Sequence, residues 1–272
     1  MNVAVVTLAH GRHDHLGRQA RSLEAGTRAP DQYVVVAMDD AGITSCLRER
    51  RSGATVVDVP RTEEGLPLAR ARNVGVRRAL DDGADVVILL DVDCLAGPHL
   101  VRGYASCVDE QPGTIWSGPV TYLPPPPAAG YDLAGLEALD APHPARPAPP
   151  PGVLVHGADP DLFWSLSFAV SADAWQRVGG FCEDYRGYGG EDTDFARVAL
   201  TRGVDLGWSG SPRAYHQYHP TSDPPVQHLE SILRNATLFH RRWGEWPMRG
   251  WLEDFRRQGL VVRTADGWAA AP

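Results

Sequence analysis

The run Val86-Val87-Ile88-Leu89-Leu90-Asp91-Val92-Asp93-Cys94 constrains this chain more than any other stretch. Five consecutive apolar residues, three of them β-branched, describe a strand buried on both faces, which demands cover above and below a sheet. The strand runs directly into two carboxylates one residue apart. On a pleated strand, positions i and i+2 point to the same side, so Asp91 and Asp93 are expected to reach one point together. Two carboxylates converging there repel unless a cation sits between them. A divalent ion with oxygen preference, Mn²⁺ or Mg²⁺, answers that need and leaves room for phosphate oxygens. The bland alternative is a solvated turn in which Asp93 caps a helix opened by Pro98. Asp-x-Asp is a short motif and does not decide between the two.

The first 110 residues repeat one pattern. A short buried strand at 3–8 leads through His10-Gly11-Arg12 into a helix marked by Leu16, Ala20 and Leu23. Tyr33–Met38 is a second buried strand, ending in Asp39-Asp40. A helix near 43–51, a strand at Thr55–Val59 and a helix opened by Pro67 precede the Val86 strand. Along the Pro67 helix, Leu68, Ala71, Gly75 and Ala79 share a face small enough for close packing on a sheet. Strands alternating with helices argue a parallel α/β sheet, whose ligands gather outside the carboxyl ends of the strands. The His10–Arg12 loop, Asp39-Asp40 and Asp91/Asp93 all lie at such ends.

Composition narrows the function classes. The chain has 272 residues, is 43% hydrophobic and carries a net charge of −8 with no lysine, so one large core is expected and nucleic acid is a poor partner. Cys46, Cys94, Cys107 and Cys182 are scattered without C-x-x-C spacing, which suggests neither zinc nor a disulfide framework. No run approaches the length of a transmembrane segment, and Met1 leads straight into the first strand without a signal-peptide pattern; a cytoplasmic protein with reduced thiols is expected.

The second half departs from the α/β rhythm. Residues 123–152 are Pro/Ala-rich and can be neither helix nor central strand; they read as a disordered insertion or as a lid over an acceptor. Phe163–Val170 resumes as a strand, with Ser171 capping a short helix. Then Gly179–Phe195 packs five glycines and several aromatics ahead of Glu191-Asp192-Thr193-Asp194, where a helix begins. Acidic residues in a first helical turn are ordinarily capping, but three beside a glycine-rich loop exceed that need. A carboxylate at a helix N-terminus is expected to stay ionised at neutral pH, suiting it to accept a proton from an alcohol. Val204–Trp208 reads as a strand, His216 and His219 stand near a strand end, and residues 226–242 form the last long helix with Val226, Leu229, Leu233 and Ala236 inward. A His pair is more often structural than ligating, since two residues never complete a site. The tail from about 260 reads as loosely held.

Taken in order, these landmarks resemble an inverting nucleotide-sugar glycosyltransferase of the GT-A type, in the large family-2-like group. The second half resembles the C-terminal region of the β-1,4-galactosyltransferases. The carriers are Thr7–Arg12, Asp39-Asp40, Ala69–Gly75, Asp91-Val92-Asp93, Gly179-Gly180-Phe181, Gly187-Tyr188-Gly189-Gly190-Glu191-Asp192-Thr193-Asp194 and a downstream histidine. The glycine-rich acidic block is the specific part, and the likeness covers about residues 1–220.

The resemblance implies a mixed α/β sheet flanked by helices in a single domain. Its nucleotide-binding half would be 1–110, its acceptor and catalytic half 111–225, and a helical extension would span 226–272. It places Leu8, His10, Arg12, Asp39, Asp40, Arg72, Asn73, Asp91 and Val92 around a nucleotide-sugar donor, probed as a UDP-hexose of galactose type. Asp93 would hold Mn²⁺ or Mg²⁺ with His216, or with His219 as the alternate. Asp192 would be the catalytic base and Glu191 a sugar contact, while Trp164, Tyr188, Gly189 and Gly190 would line the site of a small-molecule or glycan acceptor. The chain departs from the family block in two places: Tyr188 stands where Trp is usual and Thr193 where a third acid is usual. Two other classes remain open on the residues: a sugar-phosphate nucleotidyltransferase, and a non-catalytic sugar-binding module. The first wants a basic, glycine-rich phosphate loop near the N-terminus, and Leu8–Arg12 has one glycine and no lysine. The second explains the aromatics but not both acidic clusters.

Overall fold

The computed structural model describes residues 1–265 and 267–272. Its centre is an eight-stranded mixed sheet in the order β3-β2-β1-β4-β9-β6-β10-β8. The strands are β1 Val3–Ala9, β2 Gln32–Met38, β3 Thr55–Val59, β4 Val86–Leu90, β6 Thr114–Ser117, β8 Leu154–His156, β9 Ser167–Ser171 and β10 Asp205–Ser209. β1 to β4 run parallel as the alternation predicts, whereas β9 lies antiparallel between β4 and β6. Strands from both halves of the chain therefore share one sheet. A smaller sheet, β5 Cys94–Ala96, β11 Ala214–His216 and β7 Val120–Tyr122, stands at its edge in the order β5-β11-β7.

Period-two alternation divides the core into two layers. Ala4, Val6, Val87 and Leu89 face α3 (Leu68–Asp81), α5 (Ala172–Val178) and α6 (Glu191–Thr201); Val3, Val5, Ile88 and Leu90 face α1 (His13–Glu24) and α4 (Leu100–Glu110). Gly75 is the close-contact point of α3, since a Cβ there would come within 2.5 Å of Val6 and 2.8 Å of Val36. Behind the glycine-rich loop sits an aromatic cluster in which Phe181 stacks on Phe195 at 4.1 Å. Burying each such side chain contributes about 1.5–3 kcal/mol, which fixes the loop and the start of α6 against the sheet.

Several expectations are corrected. The Phe163 strand starts only at Ser167, because the chain turns at Ser165-Leu166 before entering the sheet. Residues 123–152 hold a 3-10 turn (Leu136–Leu139), and Leu123, Leu136, Tyr131 and Leu133 pack with Leu95 and Tyr215. The last long helix is α7 Leu229–Trp243, preceded by a 3-10 turn at Val226–His228. That break rotates the inward face to Ile232, Asn235, Ala236 and Phe239 and leaves Val226 exposed. The tail expected to be loose forms a hairpin, β12 Val261–Thr264 with β13 Gly267–Ala270, which joins α7 and α8 (Arg249–Arg257) in a small apolar cluster. No helix among the described residues is long and apolar enough to cross a membrane.

Candidate active site

At the carboxyl end of β4 the strand stops at Leu90, and Asp91 to Asp93 form a turn closed by a hydrogen bond from Cys94 N to Asp91 O at 2.8 Å. The two carboxylates thus do not share a pleat, and each finds different company. Gln19, fully buried on α1, holds the turn by donating to Asp91 O at 2.7 Å and Cys94 O at 2.9 Å. Asp91 lies 3.8 Å from Arg72. Burial raises its pKa above the ordinary carboxylate range; Arg72 opposes that rise and Asp93 adds to it.

Asp93 caps no helix. The pairing of β11 with β5 sets His216 opposite Cys94, and the chain then carries His219 back over the same carboxylate. His216 Nε2 stands 3.5 Å and His219 Nε2 3.3 Å from Asp93 Oδ2. Burial alone would raise the Asp93 pKa, but the two imidazoles override it and hold the carboxyl well below its usual value. Both histidines converge on Asp93. Their ligand atoms and Asp93's lie within 4.8 Å of one another, and Asp93 Oδ1 is buried without a hydrogen-bond partner. One carboxylate oxygen, an unused lone pair and two imidazole nitrogens fit a divalent transition metal. They suit Mn²⁺ better than Mg²⁺, which prefers all-oxygen shells.

The loops after β1 and β2 complete this side. Asp40 turns inward, accepting from Gly11 N at 2.7 Å, Gly42 N at 2.9 Å and His13 Nε2 at 2.9 Å. Burial works against its ionised form, yet His13 and the two amides hold its pKa below the ordinary value. Asp40 therefore stitches two loops together, and Asp39, exposed in a left-handed conformation (φ 52°), is the carboxylate left facing outward. His10 is tied by Nδ1 to Met38 O at 2.7 Å. Arg12 opens α1 from a left-handed conformation. The side chain of Leu8 is packed into the core with Val36 and Met38, and Val92 packs against the cluster around Leu16; neither offers a polar group.

Opposite stands the start of α6. Gly190 (φ 87°) is its first flanking residue, a left-handed position that glycine takes without strain, and Gly189 has φ 101°. Glu191 is buried and accepts from Arg72 Nη1 at 3.0 Å, a link across 119 residues; its Oε2 is buried with no partner. Arg72 lies 5.1 Å from the Phe181 ring centroid and joins the two acidic turns. Asp192, half-buried, accepts only from Thr193 N at 2.8 Å. Contrary to the expected ordinary ionisation at a helix N-terminus, its pKa is raised, first by burial and then by the Glu191 charge. Asp194 is fully buried and saturated by Arg242 Nε (2.6 Å), Trp243 Nε1 (2.7 Å) and Tyr185 Oη (3.2 Å).

Asn73 is engaged elsewhere than expected. Its amide accepts from Phe181 N at 2.8 Å and donates to Phe181 O and Glu183 Oε1, clamping the turn after Gly180. A Cβ at Gly180 would meet Asn73 Oδ1 at 2.7 Å, so that position admits only glycine. Tyr188 is 39% exposed and stacks on His228 at 4.7 Å. Trp164, just before β9, lies 5.1 Å from His143. Gln19 escaped the sequence reading because a buried glutamine on a helix leaves no pattern, as did the Arg242 and Trp243 contacts to Asp194.

A family model described as the N-terminal domain of galactosyltransferase matches residues 161–220, the segment holding the glycine-rich acidic block and His216. Two validoxylamine A glucosyltransferases from Streptomyces hygroscopicus, subspecies limoneus and jinggangensis, are each 27% identical over 264 residues. They cover 88% of this chain, which spans 56% and 60% of their length. Among solved structures, S. aureus TarS 1–349 superposes with a TM-score of 0.57 at 13% identity, over 87% of this chain and 64% of that one. A mannosyltransferase from Pyrobaculum calidifontis in complex with GDP-Man and Mn²⁺ gives 0.56 at 16% identity, over 90% and 66%. GalNAc-T7 with UDP, GalNAc and Mn²⁺ gives 0.56 at 14% identity, over 94% and 54%. The fold is that of the GT-A glycosyltransferases, with a galactosyltransferase-like segment at the acidic block.

Proposed function

We propose, from that fold and that segment, that the chain is a metal-dependent, inverting glycosyltransferase of family-2-like type. It moves a hexose from a UDP-sugar to a hydroxyl of a small molecule or glycan, in the reducing compartment that its free cysteines permit. The observation that carries this reading is the pair of buried carboxylate oxygens, Asp93 Oδ1 and Glu191 Oε2, that have no hydrogen-bond partner among the described residues, on the two acidic turns that Arg72 joins. A buried polar oxygen without a partner costs free energy unless a ligand answers it.

Asp93, His216 and His219 would hold Mn²⁺, which when bound supplies charge neutralisation to a departing diphosphate. Asp39 and Arg12 would face the nucleoside from the loops after β2 and β1. Glu191, fixed by Arg72, would accept a hydrogen bond from a sugar hydroxyl at Oε2. Asp192 would take the acceptor proton: the hydroxyl oxygen forms a bond to the anomeric carbon while the bond to the diphosphate breaks on the opposite face, inverting the configuration. A base with a pKa raised toward neutrality is well matched to that transfer. Trp164 and Tyr188 would offer ring faces to sugars. The galactosyltransferase-like segment favours galactose, and the glucosyltransferase relatives make glucose the competing sugar.

The test is turnover of UDP-galactose and UDP-glucose against a panel of hydroxylated acceptors with Mn²⁺, reading both products. Release of nucleoside diphosphate with a glycosylated acceptor of inverted configuration is expected. Formation of UTP and hexose 1-phosphate when pyrophosphate is added to the UDP-sugar would indicate nucleotidyl transfer, and binding without turnover would leave a sugar-binding module.

A further inference from the structure

Arg146, in the Pro-rich segment, has no part in the mechanism above, and its surroundings are unusual for a cation. The residue is 6% exposed, and its Nε, Nη1 and Nη2 are all buried without a hydrogen-bond partner among the described residues. Its Cζ lies over two indoles, 5.3 Å from the Trp164 centroid and 4.8 Å from that of Trp208. Indole faces stabilise a desolvated guanidinium but accept none of its five N–H groups. A buried charge retained in this way calls for an acceptor of opposite sign.

The position of the guanidinium says where that acceptor would come from. A row of rings leads from the metal-ligand cluster to it: His216 stacks on Tyr122 at 4.5 Å, Tyr122 contacts His143 at 5.4 Å, and His143 contacts Trp164 at 5.1 Å. Tyr122 is 47% exposed, so the row runs from open cleft to buried cation. The cation is thus joined through that row of rings to the Asp93 turn, from the Pro-rich segment. An unpaired planar fork matches an oxyanion bidentately, which a lone ammonium does not.

The geometry points to Arg146 as an oxyanion-binding residue of this cleft, taking a phosphate or carboxylate group of the donor or the acceptor. The assignment rests on the glycosyltransferase reading for the identity of the cleft, not for the chemistry of the cation. The N–H groups are buried between two indoles, so an oxyanion that reaches them changes the surroundings of Trp164 and Trp208.

Intrinsic tryptophan fluorescence of the full chain, titrated with inorganic pyrophosphate plus Mn²⁺ and separately with glucuronate or glucose 6-phosphate, tests it. A response to pyrophosphate that Arg146→Gln weakens about 10- to 100-fold assigns the donor diphosphate as source. The same loss confined to the sugar acids assigns the acceptor. Arg146→Lys keeps the charge but not the fork; it is expected to bind more weakly than wild type, and it carries the test if Arg146→Gln does not fold. Asp93→Ala separates the two ideas: if it retains Mn²⁺-dependent pyrophosphate binding, the metal reading fails while the Arg146 result stands. A wild-type protein responding to neither ligand class, or Arg146 variants binding as tightly as wild type, overturns the inference.

Discussion

Asp93 and Asp192, one on each of the two acidic turns that Arg72 joins, are held in opposite states, while Asp91 beside Asp93 shares the raised pKa of Asp192. At 91–93, Asp93 gathers two imidazoles and is held strongly acidic; at 191–194, Asp192 has one backbone amide, a like-charged neighbour and a raised pKa. The difference lies in which nitrogens each carboxylate meets: Asp93 has two imidazoles beside it, and Asp192 accepts from the Thr193 amide. A carboxylate wrapped in ligand nitrogens is suited to hold a cation. A carboxylate deprived of them is suited to hold a proton. Glu191 and Asp194 frame the contrast, one clamped by Arg72 and the other saturated by Arg242, Trp243 and Tyr185.

The largest effect that would break this division is on Asp192. Asp192→Asn keeps the shape and the capping contact, so kcat should fall about 10²–10⁴-fold, roughly 3–5 kcal/mol, with donor affinity nearly intact. Transfer rates measured beside donor binding check it; a variant retaining most of its kcat would mean that the base lies elsewhere. The neighbouring acid should respond in the opposite currency. Asp194→Asn removes a buried carboxylate from three donors, and because its partner Arg242 is 36% exposed the loss sits at the low end for a broken pair, about 2–3 kcal/mol of stability. Thermal unfolding should show a Tm lower by several degrees, with kcat per folded molecule near wild type.

The smallest effect sharpens the electrostatics. Asp192 must be ionised to accept a proton, and burial and Glu191 raise its pKa. The acid limb of the rate profile should therefore lie above the range of an ordinary carboxylate, activity falling as pH drops through it. Glu191→Gln removes the like charge and should move that limb to lower pH while raising the acceptor or donor KM. A limb that stays in place would remove Glu191 from the account of the shift.

What the chain discloses in one dimension follows the range of each interaction. The β4 run, the alternation around it, the Ser171 cap and the acidic start of α6 are local patterns; Ser171 Oγ accepts from Ala174 N at 3.1 Å as expected. The pairing of Arg72 with Glu191 spans 119 residues and leaves no local trace, and neither does the use of Asn73 as a clamp on the turn after Gly180. The Asp91–Asp93 geometry was misread because a strand pattern does not announce its last residue. The C-terminal hairpin was missed because its stability comes from Val261 and Trp268 packing on Ile232 and Phe255, a cluster assembled from three separate segments. Both histidines were visible, but the β5–β11 register that sets His216 opposite Cys94, and the return of the chain that brings His219 to Asp93, were not.

The separation of the two turns is tested most directly by calorimetry of UDP with and without Mn²⁺ on Asp93→Ala and Asp192→Asn in parallel. Asp93→Ala should lose the Mn²⁺-dependent part of the affinity, about 100-fold or more, since even outer-shell losses at metal sites cost 10–100-fold. Asp192→Asn should bind as the wild type does. Unchanged metal-dependent affinity in Asp93→Ala, or an equal loss in both variants, would contradict the assignment of the cation to one turn and the proton to the other.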